Sequence, residues 1–178
     1  MKIIKTIFES VFLVSMDIHN DSRGFFFESY NEINLNSLLN SKIKFVQDNH
    51  SYSKKSVIRG LHFQSDPHQQ DKLIRVAKGE IYDVVVDVRR NSNTFGSWHA
   101  EILSSENNYQ LWVPKGFAHG FVVTSDDAVV LYKTTDYYHP ECEKTIIYND
   151  PEIGIRWPIE IKNLSNKDSK GVTLKDLV

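Results

Sequence analysis

Short strand-like runs, rather than helical periodicity, dominate the middle of this 178-residue sequence. The stretch KLIRVAKGEIYDVVVDVR, residues 72–89, contains two runs rich in β-branched residues that meet at Lys78 and Gly79. Such runs are typical of β-strands, and the Lys-Gly junction predicts a hairpin. The stretch QLWVPKGFAHGFVVTSDDAVVLYKTT continues in the same manner, with a predicted turn at residues 125–127. Many short strands at close spacing predict an all-β fold, and we expect a jelly-roll barrel.

Three further segments complete the expected organisation. GFFFESY (residues 24–30) is predicted to be a strand, and the polar tail from Asn163, which includes SNKDSKG, a loop or short helix. NEINLNSLLNS (residues 31–41) is predicted to be a helix, because its apolar side chains recur on one side: Ile33, Leu35, Leu38 and Leu39. The chain is long enough to bury a core and shows no low-complexity linker or internal repeat. We therefore expect a single domain over residues 1–178.

Composition argues against several classes of protein. The net charge of −2 disfavours a nucleic-acid-binding protein, which normally needs a basic face. No apolar run approaches the ~20 residues of a membrane-spanning helix. The N-terminal stretch is interrupted by Lys5, Glu9 and Ser10, so we do not expect a signal peptide. Cys142 is the only cysteine, which excludes an internal disulfide, fits the reducing cytoplasm and predicts a bystander thiol rather than a nucleophile.

Eight motifs follow one another along the chain: DSRGFFFES, FVQDNHSYS, IRGLHFQ, DKLIRVAKGEIYDVVVDVR, LWVPKGFAHGF, YKTTDYY, NDPEIGIRWP and LSNKD. In this order they resemble the dTDP-4-dehydrorhamnose 3,5-epimerase family, a branch of the cupin jelly rolls, from Asp21 to Asp168. The resemblance implies inversion of C3 and C5 in dTDP-4-dehydro-6-deoxy-D-glucose, on the route to dTDP-L-rhamnose. It also implies a homodimer with shared strands that uses neither a metal nor a cofactor.

Two histidines in strand-like surroundings, His62 in IRGLHFQ and His119 in PKGFAHGF, raise the question of a metal site. Metal-binding cupins of the usual kind use a His-x-His pair, a glutamate a few residues later and a further histidine. In this sequence Gln64 takes the place of the second histidine, and Lys72 lies where an acidic ligand would be needed. An amide and a protonated ammonium are poor ligands for a divalent ion. We therefore predict that this site holds no metal.

The chemistry of a 4-keto sugar explains what histidines without a metal could do. The C–H bonds at C3 and C5 lie α to the carbonyl, so removal of either proton gives an enolate whose charge rests on the C4 oxygen. Inversion needs a base on one face, a proton donor on the other, and a cation or hydrogen-bond donor at that oxygen. Imidazole, with a free pKa of ~6.5, suits the base, and tyrosine, with a free pKa of ~10, stays protonated near pH 7.

The resemblance assigns these roles to four residues. His62 is the implied base, and Asp168 in LSNKD is its carboxylate partner, which would fix the tautomer and stabilise the imidazolium. Tyr132 in LYKTT is the implied proton donor, and Lys72 is the implied cation at the enolate oxygen. Taken singly, these residues have ordinary structural explanations: a core histidine, a loop cap, a strand aromatic and a solvated lysine.

Further residues match the family's contacts with the nucleotide and the sugar. Guanidinium groups match phosphate oxygens in pairs, and Arg23 and Arg59 occupy the family's phosphate-binding positions. Tyr138 matches the aromatic residue that stacks on thymine. The other implied substrate contacts are Glu28, Gln47, Asp48, Asn49, His119, Glu143 and Lys167. The phenylalanines of residues 25–27 are instead predicted to pack in the core or at a dimer interface.

Three functions remain open at the level of the sequence. The first is the double epimerase. The second is a relative that inverts only one centre, or a ketoisomerase of another deoxysugar pathway, which the same base and acid would serve equally well. The third is a cupin without catalytic activity that binds a sugar nucleotide or a metal. The joint presence of His62, Lys72, Tyr132 and Asp168 speaks against this third possibility.

Overall fold

The computed structural model describes residues 1–177, which form mostly β-strands. The strands are β1 (Lys2–Ile7), β2 (Val11–Ser15), β3 (His19–Asp21), β4 (Gly24–Phe26), β5 (Gln47–Lys54), β6 (Ile58–Gln64), β7 (Lys72–Lys78), β8 (Glu80–Asp87), β9 (Trp98–Ser104), β10 (Gln110–Val113), β11 (Phe117–Val123), β12 (Asp127–Thr134) and β13 (Glu143–Thr145). The helices are α1 (Glu32–Leu39), a 3-10 turn (Asp168–Lys170) and α2 (Leu174–Leu177). The predicted all-β class is confirmed.

Two antiparallel sheets face each other across the interior. The first sheet has the strand order β1-β2-β10-β7-β12-β5, and the second has the order β13-β6-β11-β8-β9. From β5 onward, most connections carry the chain from one sheet to the other. This alternation between two sheets is typical of a jelly roll, and the predicted jelly-roll barrel is confirmed.

Alternation along each strand decides which side chains fill the space between the sheets. Ile74 and Val76 of β7 and Ile81 and Val85 of β8 belong to the core cluster in this space and are fully buried. The outer face of the second sheet is covered in part by the C-terminal segment, whose Leu174 packs in a separate cluster. Both faces of the second sheet are therefore largely shielded from water.

The predicted hairpin between β7 and β8 is wrong, although both strands form. β7 pairs with β10 and β12, whereas β8 pairs with β9 and β11, so the two strands belong to different sheets. The chain turns this corner at Gly79, where φ is +77° and an added Cβ would collide with the Asp127 carbonyl oxygen. The predicted turn at residues 125–127 is likewise a corner, between β11 and β12. A glycine turn predicts a change of direction, but not the pairing partner of the next strand.

Helix α1 forms at the predicted place. The Asn31 side chain accepts a hydrogen bond from the Asn34 N–H at 3.1 Å, and Asn40 ends the helix in the left-handed conformation. The predicted apolar side is wrong at one position, because Leu35 is buried whereas Ile33 is 79% exposed. Within residues 1–177, no helix combines the length and the hydropathy that would allow it to cross a membrane.

The segment GFFFESY forms a strand only at Gly24–Phe26, so the predicted strand is wrong beyond residue 26. β4 pairs with β3 in a two-stranded ribbon that joins neither main sheet. Phe25 and Phe26 are 58% and 70% exposed, so these two side chains do not contribute to the core of this chain. Phe27 stacks on Phe25, with ring centroids 6.0 Å apart.

Candidate active site

A cavity of about 760 Å³ lies between the two sheets. On β5, β11 and β12 its walls come from alternate residues, because every second side chain points inward. β6 and β11 of the second sheet contribute His62 and His119, and β7 and β12 of the first sheet contribute Lys72 and Tyr132. The two sheets thus bring together polar side chains that are far apart in the sequence.

His62 and Asp168 form a hydrogen-bonded pair in this cavity, with His62 Nε2 2.6 Å from Asp168 Oδ1. Burial alone would raise the pKa of Asp168, but the hydrogen bond and charge of His62 lower it overall. The carboxylate is therefore ionised and can only accept, so Nε2 is the donor of this hydrogen bond. The His62 side chain is 24% exposed and that of Asp168 only 3%, so the imidazole is accessible while its partner is shielded.

The C-terminal segment holds Asp168 in place. The predicted loop or short helix in SNKDSKG is a 3-10 turn that begins at Asp168. The Asp168 N–H donates a hydrogen bond to Ser165 Oγ at 3.0 Å. Farther along, Leu174 packs in one cluster with Leu61, the residue before His62. Packing of the tail therefore fixes both members of the pair relative to each other.

Tyr132 lies on β12, in the sheet opposite His62. Burial raises the pKa of the Tyr132 phenol, so the hydroxyl stays protonated near neutral pH. Among the described residues, the hydroxyl has no hydrogen-bond partner, whereas the backbone carbonyl of Tyr132 accepts from Asn49. The phenol is therefore available as a proton donor to a molecule in the cavity.

Lys72 lies on β7 and is 8% exposed. Its Nζ donates a hydrogen bond to the carbonyl oxygen of His62 at 3.1 Å. Burial lowers the pKa of Lys72 to about 8, although the negative charges of Glu143 and Asp83 oppose this shift. Lys72 is thus a buried cation near neutral pH, close to the point where it loses its proton.

Asp83 is a functional candidate that the sequence reasoning missed. Both of its carboxylate oxygens lie 2.9 Å from His119 Nε2, and the side chain is fully buried. Burial raises the pKa of Asp83, and the charge of His119 opposes this effect. The sequence contained a sign of this in YDVVVD, because Asp83 alternates with the core residues Ile81 and Val85 and therefore lies on the same, inward face of the strand. A charged residue at an inward position of a strand predicts a buried partner.

Polar residues at the rim of the cavity form a second group. Glu143 accepts hydrogen bonds from Tyr138 Oη and from Lys167 Nζ, both at 2.7 Å. Burial alone would raise the pKa of Glu143, but these two bonds lower it overall. Gln47 Oε1 accepts from the Tyr138 N–H at 3.1 Å, and the exposed Arg59 lines the same cavity. The rim thus contains cations, an anion and an exposed aromatic ring.

The structure gathers eleven of the fourteen predicted site residues around the cavity: His62, Lys72, Tyr132, Asp168, Gln47, Asn49, Arg59, His119, Tyr138, Glu143 and Lys167. Three do not line it. Arg23 lies in the β3–β4 ribbon and pairs with Asp21, and Glu28 accepts from the side chains of Asn31 and Asn34. Asp48 alternates with the inward Gln47 and Asn49 and therefore faces away, where it pairs with Lys133 at 2.6 Å.

The surroundings of the cavity histidines differ from a metal site. The Gln64 side chain donates to the carbonyl oxygens of His68 and Tyr137 at 2.6 and 3.1 Å, so its amide is committed to the backbone. Each cavity histidine already has its own carboxylate partner. Within residues 1–177, no three side chains of the metal-binding types converge in the cavity. The absence of a metal at His62 and His119 remains a prediction.

The fold is that of a cupin-type protein, and its cavity is equipped for proton transfer. The cavity holds a histidine–carboxylate pair, a protonated tyrosine and a buried lysine. Residues 5–176 match the dTDP-4-dehydrorhamnose 3,5-epimerase family over almost the whole chain. The chain belongs to this family, as the eight motifs predicted, and it is an isomerase.

Individual relatives agree with this assignment. The chain is 52% identical to a dTDP-4-dehydrorhamnose 3,5-epimerase of Salmonella typhimurium, over 95% of this chain and 93% of that protein. It superposes with a TM-score of 0.94 on the Legionella pneumophila dTDP-6-deoxy-D-glucose-3,5-epimerase, solved with dTDP-4-keto-L-rhamnose, at 48% identity over 98% of this chain and 93% of that one. A 3'-monoepimerase of Streptomyces bikiniensis, solved with dTDP-quinovose, superposes with a TM-score of 0.90. It is 30% identical to this chain, and the match covers 98% of this chain and 88% of that one.

Proposed function

We propose that this isomerase inverts C3 and C5 of dTDP-4-dehydro-6-deoxy-D-glucose and forms dTDP-4-dehydro-L-rhamnose, a step in dTDP-L-rhamnose biosynthesis. One observation carries the proposal: His62, paired with Asp168, and Tyr132 line a single cavity from opposite sheets. A base and an acid on opposite sides of a bound sugar are what inversion of a carbon centre requires.

The first step is proton removal by His62. Nδ1, the nitrogen not bonded to Asp168, takes the proton from C3 or C5, and the electron pair of that C–H bond passes into the enolate. The developing imidazolium is stabilised by the Asp168 carboxylate at 2.6 Å. The negative charge accumulates on the C4 oxygen, where the ammonium of Lys72 stabilises it.

The second step is proton return from the other face. Tyr132 donates its phenolic proton to the same carbon, which inverts the centre and restores the ketone. The tyrosinate then regains a proton from solvent and His62 releases its own, so the sequence can be repeated at the second carbon. Because both centres flank one carbonyl, the same base, acid and cation suffice for both.

The rim residues would bind the nucleotide. Tyr138 is half exposed and would offer its ring to thymine, and Arg59 and Lys167 would bind the pyrophosphate oxygens. Glu143, held between Tyr138 and Lys167, keeps both in place.

Incubation with dTDP-4-dehydro-6-deoxy-D-glucose in deuterium oxide, followed by proton NMR, tests the proposal. We expect deuterium at both C3 and C5 and an L-rhamno product. The reaction should proceed in excess chelator, because no step uses a metal. A protein that binds the sugar nucleotide without exchange at either carbon would be a cupin without catalytic activity.

A single-centre epimerase is the second candidate, favoured by the similarity to the 3'-monoepimerase of Streptomyces bikiniensis. The proposed base and acid would serve one centre as well as two, so the residues named here do not separate the two functions. The same experiment does so, because deuterium at one carbon only would assign this chain to the single-centre type.

The titration of Lys72 gives a prediction for the pH dependence. Its pKa is lowered by burial to about 8, so the stabilising ammonium is lost as the pH rises through that value. We expect kcat/KM, which reports the free enzyme, to fall above about pH 8. Tyr132 does not explain such a fall, because burial raises its pKa further. Residual activity of Lys72→Met should lack this descending limb, and a wild-type profile that stays flat to about pH 10 would contradict the role of Lys72.

We also propose a homodimer in which the β3–β4 ribbon is shared between subunits. An isolated two-stranded ribbon is marginally stable in water, yet this one exposes Phe25 and Phe26. Arg23 lies between its two strands, away from the cavity of its own chain. Docking of the ribbon on a partner would cover the aromatic rings and bring Arg23 and Glu28 to the partner's cavity.

Complementation between two inactive variants tests this arrangement. Arg23→Ala and His62→Ala are each expected to be dimers by light scattering. Each variant alone should have little activity. Mixed and refolded together, they should regain about a quarter of the wild-type activity, because half of the dimers would then contain one intact cavity. Failure to regain activity, or a fully active monomer at micromolar concentration, would contradict the shared ribbon.

We further propose that the enzyme works in the cytoplasm, where its one cysteine, Cys142, stays reduced. Cys142 is buried and unpaired, which suits a reducing compartment. Cell fractionation with an antibody against the chain would test this location, and recovery in a secreted or periplasmic fraction would contradict it.

A further inference from the structure

A cluster of two histidines and an aspartate lies beside the rim of the cavity, outside the proposed catalytic set. His68 belongs to the segment between β6 and β7, and Asp136 and His139 belong to the segment between β12 and β13. One potential ligand atom from each residue lies within 4.8 Å of the other two. The side chains are 32%, 31% and 30% exposed, so a small ion could reach them from solvent.

The backbone that carries these three side chains is firmly held. The buried Gln64 amide donates to the His68 and Tyr137 carbonyl oxygens, and its oxygen accepts from the His139 N–H at 2.7 Å. Gln70 Nε2 donates to the Asp136 carbonyl oxygen at 2.8 Å. Two glutamine side chains thus connect the two segments and fix their spacing, which lowers the cost of arranging ligands around an ion.

The distances in the cluster suit a coordination sphere. His68 Nδ1 lies 2.9 Å from Asp136 Oδ2. These two atoms are hydrogen-bonded to each other, and ligands at about 2.0–2.2 Å in a tetrahedral site lie about 3.3–3.6 Å apart, so a separation by about half an ångström would admit an ion between them. Glu141 Oε1 lies 3.1 Å from His139 Nδ1, as a carboxylate that orients a metal-binding imidazole does. Three side chains therefore offer ligand atoms, and Glu141 holds one of the imidazoles in place.

The two imidazoles are neighbours, but both must tilt before a nitrogen of each can point at one ion. The His68 and His139 rings stack with centroids 3.4 Å apart and planes 8° from parallel. An ion that binds both would replace the stacking by a tilted pair, because each nitrogen coordinates along its lone pair in the plane of the ring. Since both side chains are partly exposed, such a tilt does not disturb the core.

We propose that His68, Asp136 and His139 bind a divalent transition-metal ion of the zinc type. Two imidazoles and one carboxylate suit Zn²⁺, Co²⁺, Ni²⁺ or Cu²⁺, whereas Mg²⁺ and Ca²⁺ prefer oxygen ligands. The ion would link the β6–β7 segment to the β12–β13 segment. It would also restrain Tyr138, which lies between Asp136 and His139 in the sequence. The proposed proton transfers do not use this site, so its existence is independent of the proposed function.

Calorimetric titration of the untagged, chelator-treated chain with Zn²⁺ tests the site. We expect saturation near one ion per chain and little response to Mg²⁺. His139→Ala and His68→Ala should each weaken Zn²⁺ binding by about 100-fold or more. This loss is larger than that expected when only a group supporting a ligand is removed. The two residues are partly exposed and belong to different segments. His99→Gln is the matched control, because it removes another histidine–carboxylate pair, His99 with Glu101, and should bind like the wild type.

Spectroscopy separates this site from the cavity. With Co²⁺, the visible absorption of a nitrogen-bound ion should form in the wild type and in His62→Ala, and should be absent from His139→Ala. Absence of saturable Zn²⁺ binding up to about 100 μM would overturn the proposal, because this concentration is well above the dissociation constants of zinc sites of this kind. Equal binding by the wild type and His139→Ala would also overturn it, as would binding that depends on His62.

Discussion

His62→Ala is expected to lose solvent exchange at both C3 and C5 and to lower kcat by about 10²–10⁴-fold. The His62 imidazole is accessible from the cavity, whereas its partner, the Asp168 carboxylate, is shielded. This carboxylate supports His62 as the base that forms the enolate. Proton NMR in deuterium oxide, with dTDP-4-dehydro-6-deoxy-D-glucose as substrate, measures exchange and inversion at each carbon separately.

Two further variants show whether the loss belongs to the base itself. Asp168→Asn keeps the imidazole but removes the charge behind it, so exchange should slow at both carbons without stopping. His119→Asn alters the other histidine–carboxylate pair, which is more deeply buried, and should leave more exchange than His62→Ala. Exchange by His62→Ala at the wild-type rate would show that another residue is the base. Thermal unfolding confirms that each variant is folded.

The sequence predicted the strands better than their partners. The residues of β7 and β8 show the β-branched runs of strands, and both strands form, yet they pair in different sheets. A turn at Gly79 is compatible with a hairpin or with a corner, and the choice depends on long-range packing against β10, β11 and β12. Local patterns do not contain this information, because each sheet is completed by strands far away in the sequence.

The site shows the same limit in another form. His62 and Asp168 are 106 residues apart, so only the resemblance to a family could pair them before the structure was known. Asp83 lies within the motif of residues 71–89 but was given no role there, although its place on the inward face of β8 indicated a buried function. The placement of Asp48 was also predictable in principle, since a residue between two inward neighbours on a strand must face outward.

Tyr132→Phe is expected to separate exchange from inversion. The substitution removes only the hydroxyl and keeps the ring, which packs against the core between the sheets. His62 and Asp168 remain intact, so the enolate can still form, and the His62 side chain is exposed enough to exchange its proton with solvent. Deuterium should therefore enter with retention of configuration, while inversion falls by about 10²–10⁴-fold.

The configuration of the exchanged substrate decides between the possible roles of Tyr132. Retained configuration with deuterium at C3 or C5 shows a working base and a missing acid. Loss of both exchange and inversion would show instead that the phenol is needed to form the enolate, and inversion at the wild-type rate would assign the acid to another residue. Tyr82→Phe is the matched control, because Tyr82 packs against Trp157, outside the cavity, and its hydroxyl has no part in the proposed reaction. Only a deficit specific to Tyr132 identifies the group that completes the inversion.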